Sequence, residues 1–336
     1  MTQSVTLAEG GENVQFTDRM VPWMKLGKVV DNPLTAAEAA KQGGLDFTVS
    51  ARNVYFTCDE TFFKEGDTET VEDNTSPECL RKMTNRKIIV RDDTLEPLSI
   101  VSSDYPILQY PEAFDFMDEA VKGEGARYVA AGALKGGKQG FMVMRLPQHM
   151  QVNVLDGGDP HEMFAVLRTS MDLTKAVEVM MMPLRGLCMN QLTLASFSAN
   201  VPHKWSVRHT STMTAKLGDM KSSLGKAEAY TKRYNELATR LAAIKINDEK
   251  AKLVLGYVIP NHTKKKDEVT NLILDKMHSS PYVGWHGTGW GLVNAISEWL
   301  DWRPAGTSES KFLNAMQGIT HKSINKAAVH LLRMEK

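Results

Sequence analysis

The chain has 336 residues, of which 42% are hydrophobic and 24% charged, with a formal net charge of zero. That length builds one large domain or two ordinary ones, and no run reaches the roughly 18 apolar residues that a membrane span needs. Cys58, Cys79 and Cys188 are odd in number and widely spaced, which argues against a disulfide framework and fits a reducing cytoplasm.

The charge is uneven along the chain. Residues 1–150 hold 16 Lys and Arg against 23 Asp and Glu, the remainder holds 24 against 17, and every His lies from His149 onward. A modestly basic C-terminal half suits a nucleic acid or another anionic partner, and equally suits two halves that attract each other within a neutral protein.

Residues 1–34 read as an arm, without the basic start and apolar run of a secretory signal. TAAEAAKQGG predicts a short helix that Thr35 caps and Gly43 and Gly44 stop. LDFTVS and NVYFT alternate and predict two strands. The acidic stretch Asp59 to Glu78 has no periodicity and reads as a mobile surface loop.

Lys87–Arg91 and Pro97–Val101 are β-branched runs joined by DDTLE, which predicts a hairpin. In PEAFDFMDEAVK, Pro111 suits a first helical turn, and Ala113, Met117, Ala120 and Val121 share one face. ARYVAAGALK and KQGFMVMRL flank Gly136-Gly137, a two-residue hairpin turn. Further strands are expected at Gln151–Leu155, Met163–Arg168 and Ala176–Met182, with Pro183 as a stop and CMNQLTLASFSA as a helix. The fold class is therefore α+β: an antiparallel sheet of hairpins around a helix (a β-β-α-β-β core), followed by a mostly helical C-terminal region. The expected division is an arm at 1–34, an α+β domain at 35–209 and a helical domain at 210–336.

Met213, Leu217, Met220, Leu224, Ala227, Thr231, Tyr234, Ala238 and Leu241 recur at gaps of four and three. That seam predicts a helix roughly 45–50 Å long, which Gly218 and Gly225 weaken. It fits an internal bundle better than a subunit interface.

No GxxxxGK[ST], HExxH, GxSxG or CxxC occurs, so no catalytic residue, metal or cofactor is expected. His203 and His209 lack a metal-ligand spacing, and DGGDPHE around Asp156 reads as a turn rather than a calcium loop. Cys188 near a helix start reads better as a small buried residue than as a thiolate. Between Gly287 and Trp302, GTGWGLVNAISEWLDW offers GxGxG, but Leu292 fills the third glycine position of a dinucleotide loop. As a helix it separates Leu292, Val293, Ile296, Trp299 and Leu300 from a stripe of Trp290, Asn294, Ser297 and Asp301. That stripe is either a binding edge or, as the better reading, a buried edge bonded to neighbouring main chain.

Lys204, Ser206 and Arg208 alternate on one strand face beside Trp205, a platform suited to a single strand. Lys135 and Lys138 flank the Gly-Gly tip, and Lys264–Lys266 form a solvated cluster or a phosphate contact. Together these lean toward an anionic polymer.

Several stretches resemble one family in order along nearly the whole chain. VPWMKLGKVV resembles its Trp-x-x-x-Gly signature at Trp23 and Gly27, and RKIIVRDDTLEPLSI, with Arg91, resembles its central hairpin. PLRGLCMNQL resembles its Arg-x-x-Cys-x-Asn motif at Arg185, Cys188 and Asn190, and VRHTSTM its Arg-His-Thr element at Arg208, His209 and Thr210. TGWGLVNAISEWLDW is similar to its last signature, with Trp290, Asn294, Glu298 and Asp301. The family is the phage/plasmid-like domain of unknown function 932. One element departs from it: Ser-His-Asp-Gly is represented within Thr169-Ser170-Met171-Asp172, with Met171 for His and Leu173 for Gly.

The resemblance implies a phage or mobile-element setting among replication and recombination genes, and the β-β-α-β-β unit is compatible by analogy with RecT/Redβ-type annealing proteins. The expected function is a DNA-metabolism protein that binds single-stranded DNA and promotes annealing as a homo-oligomer. It would work in the cytoplasm of an infected or prophage-bearing cell. Its expected contacts are Lys135, Lys138, Arg185, Lys204, Trp205, Arg208 and His209. Two alternatives stand beside it. One is an interaction protein whose acidic N-terminal half blocks a host restriction or defence factor. The other is an enzyme that joins Arg185, Cys188 and Asp301 in one pocket.

Overall fold

A computed structural model of the chain describes residues 28–29, 35–58, 79–120, 126–147, 152–154, 159–184, 204–210, 227–260, 265–280, 283–302 and 321–334, with a few single positions between. It is α+β, with two antiparallel sheets and the helices concentrated toward the C-terminus. The arm's Trp23 and Gly27, the acidic stretch 59–78, the segment 185–203 with Arg185, Cys188 and Asn190, and Lys264 lie outside the described residues.

Helix α1 (Ala36–Gln42) begins as expected at Thr35. The Thr35 hydroxyl accepts from the Glu38 amide, and the Glu38 carboxylate accepts from the Thr35 amide, so two orphan donors are satisfied reciprocally. The expected strand at LDFTVS starts only at Val49, because its first half ends the helix: the Leu45 amide donates back to the Ala40 carbonyl. The ladder opens where the Gln109 side chain grips both backbone groups of Val49, at 3.0 and 2.9 Å. From there β2 (Val49–Cys58) runs on, with a register shift between Asn53 and Tyr55. It pairs with β3 (Cys79–Arg91), which pairs with β4 (Pro97–Ser102), and these three form the smaller sheet. Cys58 and Cys79 are direct register partners.

The larger sheet has seven strands. Its path is β1 (Lys28–Val29), β5 (Arg127–Leu134), β6 (Gln139–Arg145), β8 (Asp159–Ser170), β9 (Val177–Leu184) and β10 (Lys204–Val207), with β7 (Val152–Val154) paired to β8. Helix α2 (Tyr110–Ala120) connects the two sheets and packs on α1 and β8. Met163, Ala165 and Leu167 of β8, Met171 just beyond it, and Val177, Val179 and Met181 of β9 join the main core. On the opposite face Phe164, Val166, Met180 and Met182 are buried as well. A sheet covered on both sides explains why these strands read as continuous apolar runs rather than alternating ones.

Two expectations for this sheet are corrected. The β5–β6 turn is not a two-residue Gly-Gly turn: Leu134 and Gln139 are the last partners, which leaves four residues between them. Lys135, Gly136 and Gly137 all have positive φ, and a Cβ on Gly137 would lie 2.9 Å from Phe47 and Arg91, so the loop folds beneath those side chains. Pro183 does not end β9, which continues to Leu184. Among the described residues β10 pairs only with Val177–Met180, so Pro183 lies where the outer side of β9 is an edge and a missing N–H is tolerated.

Among the described residues five helices follow: α3 (Ala227–Ala243), α4 (Asp248–Val258), α5 (Lys266–His278), α6 (Gly289–Trp302) and α7 (His321–Met334). α6 is central, packed against α3, α5 and α7. The C-terminal part of the expected seam, Thr231, Tyr234, Ala238 and Leu241, is buried on α3 and faces inward, as an internal bundle requires. α3 has 17 residues, and most of the seam before Ala227 lies outside the described residues. One apolar cluster runs from α1 and the sheets through to α7. Among the described residues no helix is long and apolar enough to cross a membrane.

Candidate anion-binding site

Three hairpin ends meet at one end of the large sheet. The β8–β9 tip is organised by Asp172, whose Oδ1 accepts from the amide and hydroxyl of Thr174. Gln139, at the start of β6, donates to Asp172 at 3.3 Å and to Thr174 at 2.8 Å, and the Met171 amide donates to the Lys138 carbonyl, so two tips are sewn together. Burial alone would raise the Asp172 carboxyl, but hydrogen bonds led by Thr174 outweigh it and hold the group below its ordinary value. The third tip enters through Arg91. Its guanidinium forks onto Asp93 at 2.9 and 2.7 Å, lies 3.8 Å over the Phe47 ring and reaches the Gly136 carbonyl at 3.5 Å. Arg91 is thus a tie between tips, with its charge already paired.

The antiparallel register decides what each face carries. Arg168, Glu178 and Ser206 are aligned across three strands, as are Leu167, Val179 and Trp205. Paired positions share a face and neighbours along a strand alternate, so Lys204 and Ser206 lie on the Arg168 face while Trp205 lies on the other. Trp205 packs against the apolar core. The expected contacts Lys204 and Trp205 are therefore not brought to one surface.

On the basic face, Arg168 meets Glu178 Oε2 through Nε and Nη2, both at 2.5 Å, and Lys204 Nζ meets Oε1 at 2.5 Å. A single carboxylate serves two cations. Arg168 Nη1 is buried and has no hydrogen-bond partner. Burial lowers the Arg168 pKa, and Glu178 does not fully offset it. Lys175, at the hairpin tip, is also held below its ordinary value, first by burial and then by the charges of Arg168, Lys204 and Lys135, against which only Glu178 acts. Glu178 thus meets two cations directly, and the charges of Lys175 and Lys135 act on the same cluster. A positive excess with a desolvated free donor is the electrostatic form of an oxyanion site.

Thr169, next along β8, points to the other face and bonds His209 Nε2 at 3.2 Å. Tyr105 stacks on the His209 ring with centroids 5.8 Å apart. Burial lowers the His209 pKa and leaves Nδ1 without a partner. Burial, with help from Asp172, pushes the Tyr105 phenol up to about 12. The Arg-His-Thr element and the element around Thr169–Leu173 therefore meet in space. Leu173, where the resembled element has Gly, has φ 63°, a conformation that suits Gly.

Lys135, Lys138, Lys204, Arg208 and His209 all fall at this end of the sheet, whereas Arg168, Lys175 and Glu178 escaped sequence reasoning. Their signal was a charge inside each apolar run, Arg168 in AVLRTS and Glu178 in AVEVMMM. The last signature is elsewhere and internal. Trp290, Asn294 and Ser297 are buried; Trp290 sits among Tyr234, His161 and Trp285, and Asn294 Nδ2 donates to the Trp290 carbonyl at 2.8 Å. Glu298 is paired with Lys276 at 2.6 Å. The stripe is a buried edge, and of Asp301 only the helical backbone is described. Among the described residues no group of three or more His, Cys, Asp and Glu could hold a metal ion.

Searches of curated proteins and of solved structures find no match. A family model does match, over residues 97–327, and that span contains Tyr105, Lys135, the Thr169–Lys175 hairpin, Glu178, Lys204 and His209. The chain belongs to the family described as Domain of unknown function (DUF932).

Proposed function

We propose that this chain is a nucleic-acid-binding protein that takes single-stranded DNA along the basic end of its large sheet. The observation that carries the reading is the charge balance there: Arg168 and Lys204 share the carboxylate of Glu178, and the charges of Lys175 and Lys135 act on the same cluster. Phosphates would neutralise that excess and release their counterions, which gives binding without sequence preference. Lys138 and Arg208 lie at the same end of the sheet, next to β6 and β10. Trp205 takes no part, because its ring belongs to the core face. The half-exposed stack of Tyr105 on His209 lies at this end of the sheet on the face opposite Arg168.

In the phage or mobile-element setting that the family resemblance implies, such a protein would hold single strands in the bacterial cytoplasm during recombination or annealing, as a homo-oligomer. Sedimentation velocity with and without a single-stranded oligonucleotide tests this. A DNA-dependent shift to a larger assembly is expected, and a DNA-indifferent monomer would overturn it.

A further inference from the structure

We infer that Arg168 seats a terminal phosphate monoester, the phosphorylated end of a strand, with Lys175 and Lys204 as its outer cations. This rests on the nucleic-acid reading above and narrows it to one chemical group. Arg168 is 5% exposed. Its Nε and Nη2 edge is taken by Glu178 Oε2, while Nη1, on the other side of the guanidinium, is buried and unpartnered. A planar guanidinium has a second edge, Nη1 with Nη2, of the width that two phosphate oxygens match. A buried donor without a partner is costly and persists where something else completes it.

The group that fits is a monoester rather than an internal phosphodiester. A monoester carries about −1.5 to −2 charges at neutral pH and three strong acceptor oxygens. With a single substituent it can present its oxygens end-on to Nη1. A phosphodiester has one charge and chain on both sides, so it suits the more exposed Lys135 and Lys204. The excess at Lys175 and Lys204 matches the second charge of the monoester.

The test uses the full chain and two oligonucleotides of one sequence, 3′-labelled, one with a 5′-phosphate and one with a 5′-hydroxyl. The phosphorylated strand should bind about tenfold tighter, the factor that one hydrogen bond to a charged group carries. Arg168→Gln should erase the preference. Lys175→Gln, at the hairpin tip where folding is not at stake, should reduce it to about threefold. Equal affinity of the wild-type chain for both strands overturns the seat and leaves backbone binding standing. If neither strand binds but inorganic phosphate raises the melting temperature of the wild type and not of Arg168→Gln, the nucleic-acid reading falls and the seat stands. No response to strand or phosphate overturns both.

Discussion

Arg168 and Glu178 face each other across β8 and β9, joined through Nε and Nη2 at 2.5 Å, with side chains only 6% and 10% exposed. A buried pair costs desolvation that its own attraction roughly repays, so its loss hurts mainly by stranding the survivor. Glu178→Gln should therefore lower unfolding stability by about 3 kcal/mol in a urea titration. Arg168→Met with Glu178→Leu should stay within about 1 kcal/mol of wild type, because an apolar pair of similar volume replaces the ion pair. That double variant should also bind anions less well. If it is as unstable as the single variant, the pair is contributing far more than a buried ion pair usually does.

Leu173 should be improvable. Its φ of 63° puts a Cβ-bearing residue in the left-handed region, at roughly 1–2 kcal/mol, while glycine carries an unfolded-state entropy cost of roughly 0.5–1 kcal/mol. Leu173→Gly should raise stability by about 0.5–1 kcal/mol and Leu173→Val should lower it, both read from melting temperature. A destabilised Leu173→Gly would mean that this half-exposed side chain packs more than its position implies.

Gly291 should be intolerant. A Cβ there would come within 2.2 Å of the Trp285 carbonyl oxygen, a backbone atom that cannot swing aside. Gly291→Ala should cost about 3 kcal/mol by forcing α6 away from the Trp285 turn. Wild-type stability in that variant would contradict the close approach of helix and turn.

His209 should make folding sensitive to mild acid. Burial lowers its folded pKa below the ordinary value of 6.5. Below that value the unfolded chain binds the extra proton first, so the contribution is fully present above about pH 6.5 and declines as pH falls. Between pH 7.5 and 5.5 the wild type should lose more stability than His209→Gln, compared by urea midpoint. Parallel losses would show that His209 ionises as freely folded as unfolded.

The local signals were legible where one residue type settles one interaction. Thr35 marked the start of α1, Pro111 sat in the first turn of α2, the β-branched runs placed the end of β3 and β4, and apolar runs placed β6, β8 and β9. Missing from view was what register creates. Arg168 and Glu178 are ten residues apart, and only the β8–β9 pairing sets them opposite; Lys204 joins them from a third strand. Trp205 shows the reverse case, since strand alternation separates it from Lys204 whatever the partners are. The β5–β6 turn was misjudged because glycines at a tip fit several loops, and here Phe47 and Arg91, distant in sequence, select the longer one. The Gly287–Trp302 stretch was read correctly as internal, since the dinucleotide register failed at Leu292.

The central claim is that the excess of cations around Glu178 binds a phosphate polymer. Its most direct test is an anisotropy titration of a labelled single-stranded oligonucleotide at two salt concentrations, with the wild type and a Lys135→Gln, Lys175→Gln, Lys204→Gln triple variant. The wild type should bind at low salt and weaken as salt rises. The triple variant should bind less and flatten the log–log salt slope by about 2, at roughly 0.7 for each phosphate no longer neutralised. No binding at low salt, or binding that neither salt nor the triple variant alters, would contradict it.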